Sequence, residues 1–320
     1  RLGAFENSVT RTSAGTRELN VQFLHARSRH AEAFPLLLIH GWPGSILEFE
    51  EILPWLVDPE SHGGEAADAF HVVCPSIPGF GFSEIPKEPG TNPEVVADLF
   101  ADLMRQLGYD RYGAQGGDYG SVISTLLGAR DSAHCAAIHL NLILAGPPKD
   151  SDPMAGLSAA EVEHLSRTAS NAQTETGYYA IQSTKPQSLG YGIHDSPAGL
   201  AAWIVEKFHA WSDCNGDIEQ RFSKDQLLAN ITLYWLTGTI TSSCRMYAEQ
   251  AKMGRTVPGP VPTGAALFPG EMIKAPRAWA ELRYPNLVRW TEMESGGHFA
   301  AMEEPQLLAR EIRAFFRSYR

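Results

Sequence analysis

Gly113-Ala114-Gln115-Gly116-Gly117-Asp118-Tyr119-Gly120-Ser121 places an aspartate between two glycines, Gly116 and Gly120, each two residues away. A strand that turns sharply into a helix needs small residues at those two places, where side chains would collide. It leaves the central side chain presented as a nucleophile. A carboxylate there can attack an alkyl carbon and form an ester that a second step hydrolyses. Gly-x-Asp-x-Gly arises by chance in roughly one chain in ten of this length, so the pentapeptide alone also fits a glycine-rich turn with a solvated aspartate. Context favours the elbow. Residues 111–115 have room only for a short strand, and 119–128 carry apolar residues at helical spacing.

Outward from this point, strands and helices alternate. Residues 20–26 alternate like a strand with one exposed face, whereas 35–40 and 70–75 are solid apolar runs that suit central strands covered on both sides. Residues 46–57 suit a helix. Asn92-Pro93-Glu94 supplies an N-cap, a proline at the first helical position and an acid in the first turn. The helix it opens, 93–107, carries Val96, Leu99, Phe100, Leu103 and Leu107 at helical spacing, and a strand follows at 135–141. This alternation predicts a mostly parallel, doubly wound α/β sheet.

From about 150 to 255 the pattern turns helical. Ser158-Ala159-Ala160-Glu161 is a capping box, Ser196-Pro197 opens a helix to about Trp211, and a third helical stretch runs from Lys224 to Gln250. Strand patterns return at 264–268 and 287–293, after a Pro- and Gly-rich link at 258–264, and a helix from Glu304 ends the chain. The expected organisation is a core of residues 1–149 and 256–320 with a helical lid, 150–255, inserted between two strands.

In an open parallel sheet the chemistry gathers beyond the carboxyl ends of the strands. His40-Gly41-Trp42-Pro43-Gly44-Ser45 follows one strand, and the backbone amides of Trp42 and Tyr119 could form an oxyanion hole. Phe268-Pro269-Gly270-Glu271 and Ser295-Gly296-Gly297-His298-Phe299 follow two others. Nucleophile, acid and histidine thus come in the order Asp118, Glu271, His298, the order of the α/β-hydrolase scaffold. Of eleven histidines only His298 lies in a glycine-flanked loop past the last strand, and His139 is expected between sheet and helix. Ser158, in Gly156-Leu157-Ser158-Ala159-Ala160, is the best serine match, but it follows no strand and is better explained as a helix N-cap.

Composition narrows the classes. A net charge of −11 and a pI near 5.5 argue against a nucleic-acid groove. No apolar run reaches the roughly 18 residues of a membrane span, and no signal-peptide pattern is present. The four cysteines, Cys74, Cys135, Cys214 and Cys244, have neither metal-binding nor disulfide-framework spacing. They read as buried thiols of a reducing, cytoplasmic protein. The chain opens on Arg1 rather than a methionine, as a trimmed chain or the ordered part of a longer protein would.

The chain resembles the microsomal-type epoxide hydrolases, which include the insect juvenile-hormone epoxide hydrolases. The resemblance runs from about residue 20 to the C-terminus. It rests on His40 to Ser45, on Ile77-Pro78-Gly79-Phe80-Gly81-Phe82-Ser83, on Gly116 to Ser121 and on Gly296-Gly297-His298-Phe299-Ala300-Ala301. Gln182-Ser183-Thr184-Lys185-Pro186 and Asp195 to Leu200 add to it in the lid. It implies an α/β-hydrolase fold and two lid tyrosines that hold the epoxide oxygen. One precedes Thr-Lys-Pro by a fixed interval, at Tyr178 with Tyr179 as its neighbour, and the other is Tyr247 in Arg245-Met246-Tyr247. The family's N-terminal segment is expected to be only partly present, and attachment to microsomes is not carried over.

The expected reaction is hydrolysis of an epoxide to a vicinal diol. Asp118 attacks a ring carbon while Tyr178 and Tyr247 hold the oxygen; His298, oriented by Glu271, then activates a water against the ester, and the Trp42 and Tyr119 amides receive the oxyanion. No metal or organic cofactor is required. Trp42 and Tyr179 are expected to line the pocket, and the aromatics Tyr178, Tyr179, Trp203, Tyr234 and Trp235 suggest an apolar substrate. A haloalkane dehalogenase could use the same Asp and His but commonly has a tryptophan after the nucleophile, where Tyr119 stands. A non-catalytic receptor version of the fold would be expected to have lost part of the triad. Removal of foreign epoxides and a biosynthetic step are both open as roles, as is association into a homodimer.

Overall fold

The computed structural model describes residues 3, 5–150 and 152–320. Among the described residues eight strands form one sheet: β1 (Glu6–Ala14), β2 (Arg17–Ala26), β3 (Phe34–Ile39), β4 (Phe70–Pro75), β5 (Tyr112–Gly116), β6 (Cys135–Leu140), β7 (Thr263–Leu267) and β8 (Leu287–Glu292). Their spatial order is β1-β2-β4-β3-β5-β6-β7-β8. The β1–β2 and β2–β4 pairs are antiparallel and all later pairs parallel, the mixed but mostly parallel sheet of an α/β hydrolase. β3 lies between β4 and β5, so the strand order reverses beside it. Register pairs Ile39 with Gly116, which puts the ends of β3 and β5, and the two loops leaving them, side by side.

The helices of the core are α1 (Leu53–Val57), α2 (Pro93–Gln106) and α3 (Asp118–Arg130) before the insertion, with α10 (Arg277–Arg283), α11 (Ala300–Glu303) and α12 (Pro305–Phe316) after it. Six more lie between β6 and β7: α4 (Ala159–Glu175), α5 (Gly177–Thr184), α6 (Pro186–His194), α7 (Pro197–Trp211), α8 (Lys224–Thr237) and α9 (Ile240–Gln250). One apolar core joins a sheet face to α2, α3 and the inserted helices, and a second joins the other face to α1 and α12. Among the described residues no helix is long and apolar enough to cross a membrane.

Local chemistry explains where sequence patterns and structure part. The expected helix 46–57 is a 3-10 turn, Ile46–Phe49, followed by α1, because Pro54 has no N–H to continue the ladder and sits in the first turn of the second piece. The stretch 224–250 is two helices, α8 ending at Gly238, whose φ of 65° lets its N–H turn back onto Tyr234 and Trp235 carbonyls. β2 has no exposed face over its last six residues: Val21 and Phe23 join one apolar core, Leu24 and Ala26 the other, and Val21 to Ala26 are all buried. Ser158 caps α4, its hydroxyl accepting from the Glu161 amide at 3.2 Å, and has no elbow geometry.

Close packing of the elbow makes Gly120 a direct test of the fold. A Cβ there would lie 1.9 Å from the Ile39 carbonyl oxygen, against backbone that cannot move aside. Gly120→Ala should cost about 1–3 kcal/mol of stability, read from the urea midpoint. An unchanged midpoint would mean that β3 and α3 do not pack this closely.

Candidate active site

Asp118 begins α3 with φ at +49°, a left-handed conformation that a non-glycine residue adopts only when its surroundings impose it. Those surroundings are Gly116 and Gly120: a Cβ on Gly116 would meet the Gly120 backbone at 2.4 Å. The carboxylate therefore projects from the sheet toward the loop after β3. The Trp42 amide donates to Asp118 Oδ1 at 2.8 Å, and a Cβ on Gly41 would meet the Asp118 side chain at 2.3 Å.

The loop from His40 to Ser45 is held from both sides. His40 is buried and accepts at Nε2 from the Ile77 amide (3.1 Å), which leaves Nδ1–H to donate to the Gly41 carbonyl (3.0 Å). From α8, Tyr234 Oη donates to the Gly44 carbonyl at 2.7 Å and Asn230 Nδ2 to the Pro43 carbonyl at 2.8 Å. Tyr234 is thus a strut of the loop rather than a pocket wall. Trp235 faces solvent, and Trp203 is turned to Gln182 Oε1, 2.9 Å from its indole nitrogen.

His298 and Glu271 come to Asp118 from the far end of the chain. His298 Nδ1 lies 2.9 Å from Glu271 Oε2, and His298 Nε2 lies 3.7 Å from Asp118 Oδ2. The His298 amide donates to the Trp211 carbonyl at 2.9 Å, fixing the Gly-Gly-His loop against the end of α7. The insertion brings aromatic rings over the carboxylate. Tyr178 stacks on Trp42 with centroids 5.3 Å apart and planes at 7°, and Tyr247 stands edge-on to Trp42, Tyr178 and Tyr119. Tyr179 is 42% exposed and reaches Tyr247 from outside, at 5.5 Å, so Tyr178 is the inner member of the pair.

Three polar atoms of this cage, Trp42 Nε1, Trp211 Nε1 and Tyr119 Oη, are buried without a hydrogen-bond partner. Unpaired donors are costly in an interior and call for an explanation. Behind Asp118 a cavity of about 20 Å³, room for one water molecule, is lined by Glu48, Gln115, Asn141, Asp118 and His298.

Residues 1–49 match the epoxide hydrolase N-terminus family and residues 35–177 the alpha/beta hydrolase fold. Epoxide hydrolase 1 of Sus scrofa is 40% identical over 325 residues, 93% of this chain and 72% of that one. Juvenile hormone epoxide hydrolase 1 of Ctenocephalides felis is 33% identical over 335 residues, 97% of this chain and 72% of its own. The chain belongs to the microsomal-type epoxide hydrolase family. It is an epoxide hydrolase. The crystal structure of juvenile hormone epoxide hydrolase from the silkworm Bombyx mori superposes with a TM-score of 0.89 at 32% identity, covering 99% of this chain and 80% of that one. That of Aspergillus niger epoxide hydrolase gives 0.87 at 33%, covering 100% and 80%.

Charge in this epoxide hydrolase site is crowded. Burial raises the Asp118 carboxyl above the usual range, and His298 with the Trp42 and Tyr119 amides offsets only part of that rise. Burial opposes the His298 imidazolium, but the charge and hydrogen bond of Glu271, helped by Asp118 and Glu48, outweigh it and lift His298 to about 9. Glu48 is pushed up to about 8, chiefly by burial and by the Asp118 charge, against His298 and the Ser45 and Gly41 amides.

Glu48, Trp211, Gln115 and Asn141 are site neighbours that sequence patterns do not single out. Glu48 stands three residues after Ser45, which caps the following turn, so it reads as an ordinary capping acid. Among the described residues no group of three or more His, Cys, Asp or Glu side chains could hold a metal ion.

A raised histidine pKa stabilises the fold wherever the imidazolium persists. The contribution is fully present below the unfolded value of 6.5 and is lost as pH rises through about 9. His298→Gln should therefore destabilise the protein at about pH 6 and much less at about pH 10, in paired thermal melts. An equal gap at both pH values would contradict an imidazolium held between Glu271 and Asp118.

Proposed function

We propose that this epoxide hydrolase acts through an ester on Asp118. One observation carries the reading: the Asp118 carboxylate has Oδ1 held by the Trp42 amide and Oδ2 3.7 Å from His298 Nε2, while its charge acts on the packed pair of phenols Tyr178 and Tyr247. Oδ2 attacks a ring carbon, the ring C–O bond breaks, and its electron pair passes to the epoxide oxygen. That oxygen takes a proton from a phenol, Tyr178 or Tyr247, on the opposite side, as in-line displacement requires.

Esterification removes the Asp118 charge, one of the charges that hold the proton on His298. The imidazolium then passes its proton to the phenolate left by ring opening, and the neutral imidazole becomes a base. It takes a proton from a water in the chamber beside Glu48 and Asn141, and the hydroxide attacks the Asp118 carbonyl carbon. Negative charge collects on Oδ1, where the Trp42 and Tyr119 amides meet it. Collapse releases the diol and restores the carboxylate.

The cage of Trp42, Tyr178, Trp211 and Tyr247 favours an apolar substrate. Four free, buried cysteines suit a reducing cytoplasm. Removal of foreign epoxides and a biosynthetic step both remain compatible with such a site. The buried indole N–H groups of Trp42 and Trp211 could also serve a departing halide, so the phenols are what separates the two chemistries.

Stopped-flow measurement of ester formation tests this. Tyr178→Phe and Tyr247→Phe should each slow alkylation by about ten- to a thousandfold, leave hydrolysis of a preformed ester largely intact, and spare Tyr179→Phe. A collapsed rate in Tyr179→Phe with a normal one in Tyr178→Phe would move the donor by one residue. Normal alkylation in all three, or chloride release from 1-chlorobutane at a comparable rate, would remove the phenols from the mechanism.

A further inference from the structure

Lys207 occupies an unexpected place. On α7 it shares the buried face with Leu200, Ile204, Phe208 and Trp211, where the helical pattern calls for an apolar residue, and it is 5% exposed. A lysine is almost never buried without a partner. Its ion partner is Glu206 Oε2 at 2.6 Å, on a side chain 53% exposed and therefore weakened by solvent. A methionine would fill the same space without burying charge.

The ammonium lies over rings of the active site. Lys207 Nζ is 4.8 Å from the centroid of Tyr178 and 5.8 Å from that of Trp211, both within cation–π range. Tyr178 cannot swing away, because it is stacked on Trp42 and packed against Trp211 and Tyr247. Burial and the Asp118, Tyr179 and Glu271 groups facing this phenol all oppose its ionisation, and Tyr247 is the neighbour that favours it. A phenol in such surroundings is a poor proton donor unless a positive charge is near.

We propose that Lys207 is a positioning residue for epoxide opening, its ammonium holding the Tyr178 ring in place and stabilising the phenolate formed when Tyr178 protonates the epoxide oxygen. The inference rests on Tyr178 as a donor. In the step, the ring C–O bond breaks as Asp118 bonds to carbon, the oxygen takes the phenolic proton, and the phenolate is left beside the Lys207 cation. The proton that His298 gives up once Asp118 is esterified restores the phenol, and the proton it later takes from water restores the imidazolium. The attraction of the ammonium for the ring rises from cation–π to ion–ion strength along this path, so it favours the transition state over the ground state.

The test is a double-mutant cycle on the full chain with styrene oxide, following ester formation by stopped flow. Lys207→Met and Lys207→Gln should slow alkylation about tenfold or more, Lys207→Arg should restore most of the rate, and ester hydrolysis should be unchanged. In a Tyr178→Phe background the Lys207 substitutions should have no further effect. Thermal melts identify any variant that fails to fold, and either neutral variant suffices for the cycle. An equal slowing in both backgrounds, or no rescue by arginine, would overturn the inference while leaving Tyr178 as donor. A normal rate in Tyr178→Phe alone would overturn both.

Discussion

The turn at Asp118 depends on contact between two backbones. Gly120 lies so close to the Ile39 carbonyl, and Gly116 to Gly120, that neither tolerates a Cβ. This contact fixes α3 against the end of β3, forces Asp118 into a left-handed conformation, and sets its carboxylate under the Trp42 amide. The strain is sustained because the sheet register, Ile39 beside Gly116, leaves the two loops no other course. The His40–Ser45 loop, the clasp of Tyr234 and Asn230, and the water chamber behind the carboxylate are all placed by that one approach.

A second constraint is electrostatic. Three carboxyl groups, Asp118, Glu271 and Glu48, surround a single imidazole in an interior with little water. They cannot all be charged cheaply. The result is a raised His298 and a raised Glu48, and a site whose protonation changes when Asp118 loses its charge by alkylation. The lone donors of the aromatic cage belong to the same account, since buried N–H and O–H groups left unpaired cost stability that a binding role can justify.

Much of this was legible in the sequence where backbone geometry demands particular residues. Glycines around Asp118, the cap at Asn92 and the capping box at Ser158 announce a turn or a helix start by themselves, and the order of the loops carrying Asp118, Glu271 and His298 follows the order of the strands. The structure brings those three side chains together with Tyr178 and Tyr247. Features set by tertiary contact were not legible. β1 has an alternating pattern too polar to stand out, β2 looks half-exposed until an apolar core covers each of its faces, and Pro54 and Gly238 divide stretches whose apolar spacing is continuous. Tyr234 reads as a pocket aromatic but holds a loop. Glu48 and Lys207 look like ordinary helix charges, and only the packed structure turns them toward the site.

The account stands or falls on which atom attacks the epoxide. The direct measurement is a single turnover in heavy-oxygen water with enzyme in excess over substrate, followed by mass analysis of the diol and of the peptide containing Asp118. If the Asp118 carboxylate attacks, the first diol released carries unlabelled oxygen from the protein, and the label appears in the Asp118 carboxylate. Label in the diol on that first turnover, with an unlabelled Asp118, would show that water attacks the ring directly and would contradict the ester mechanism.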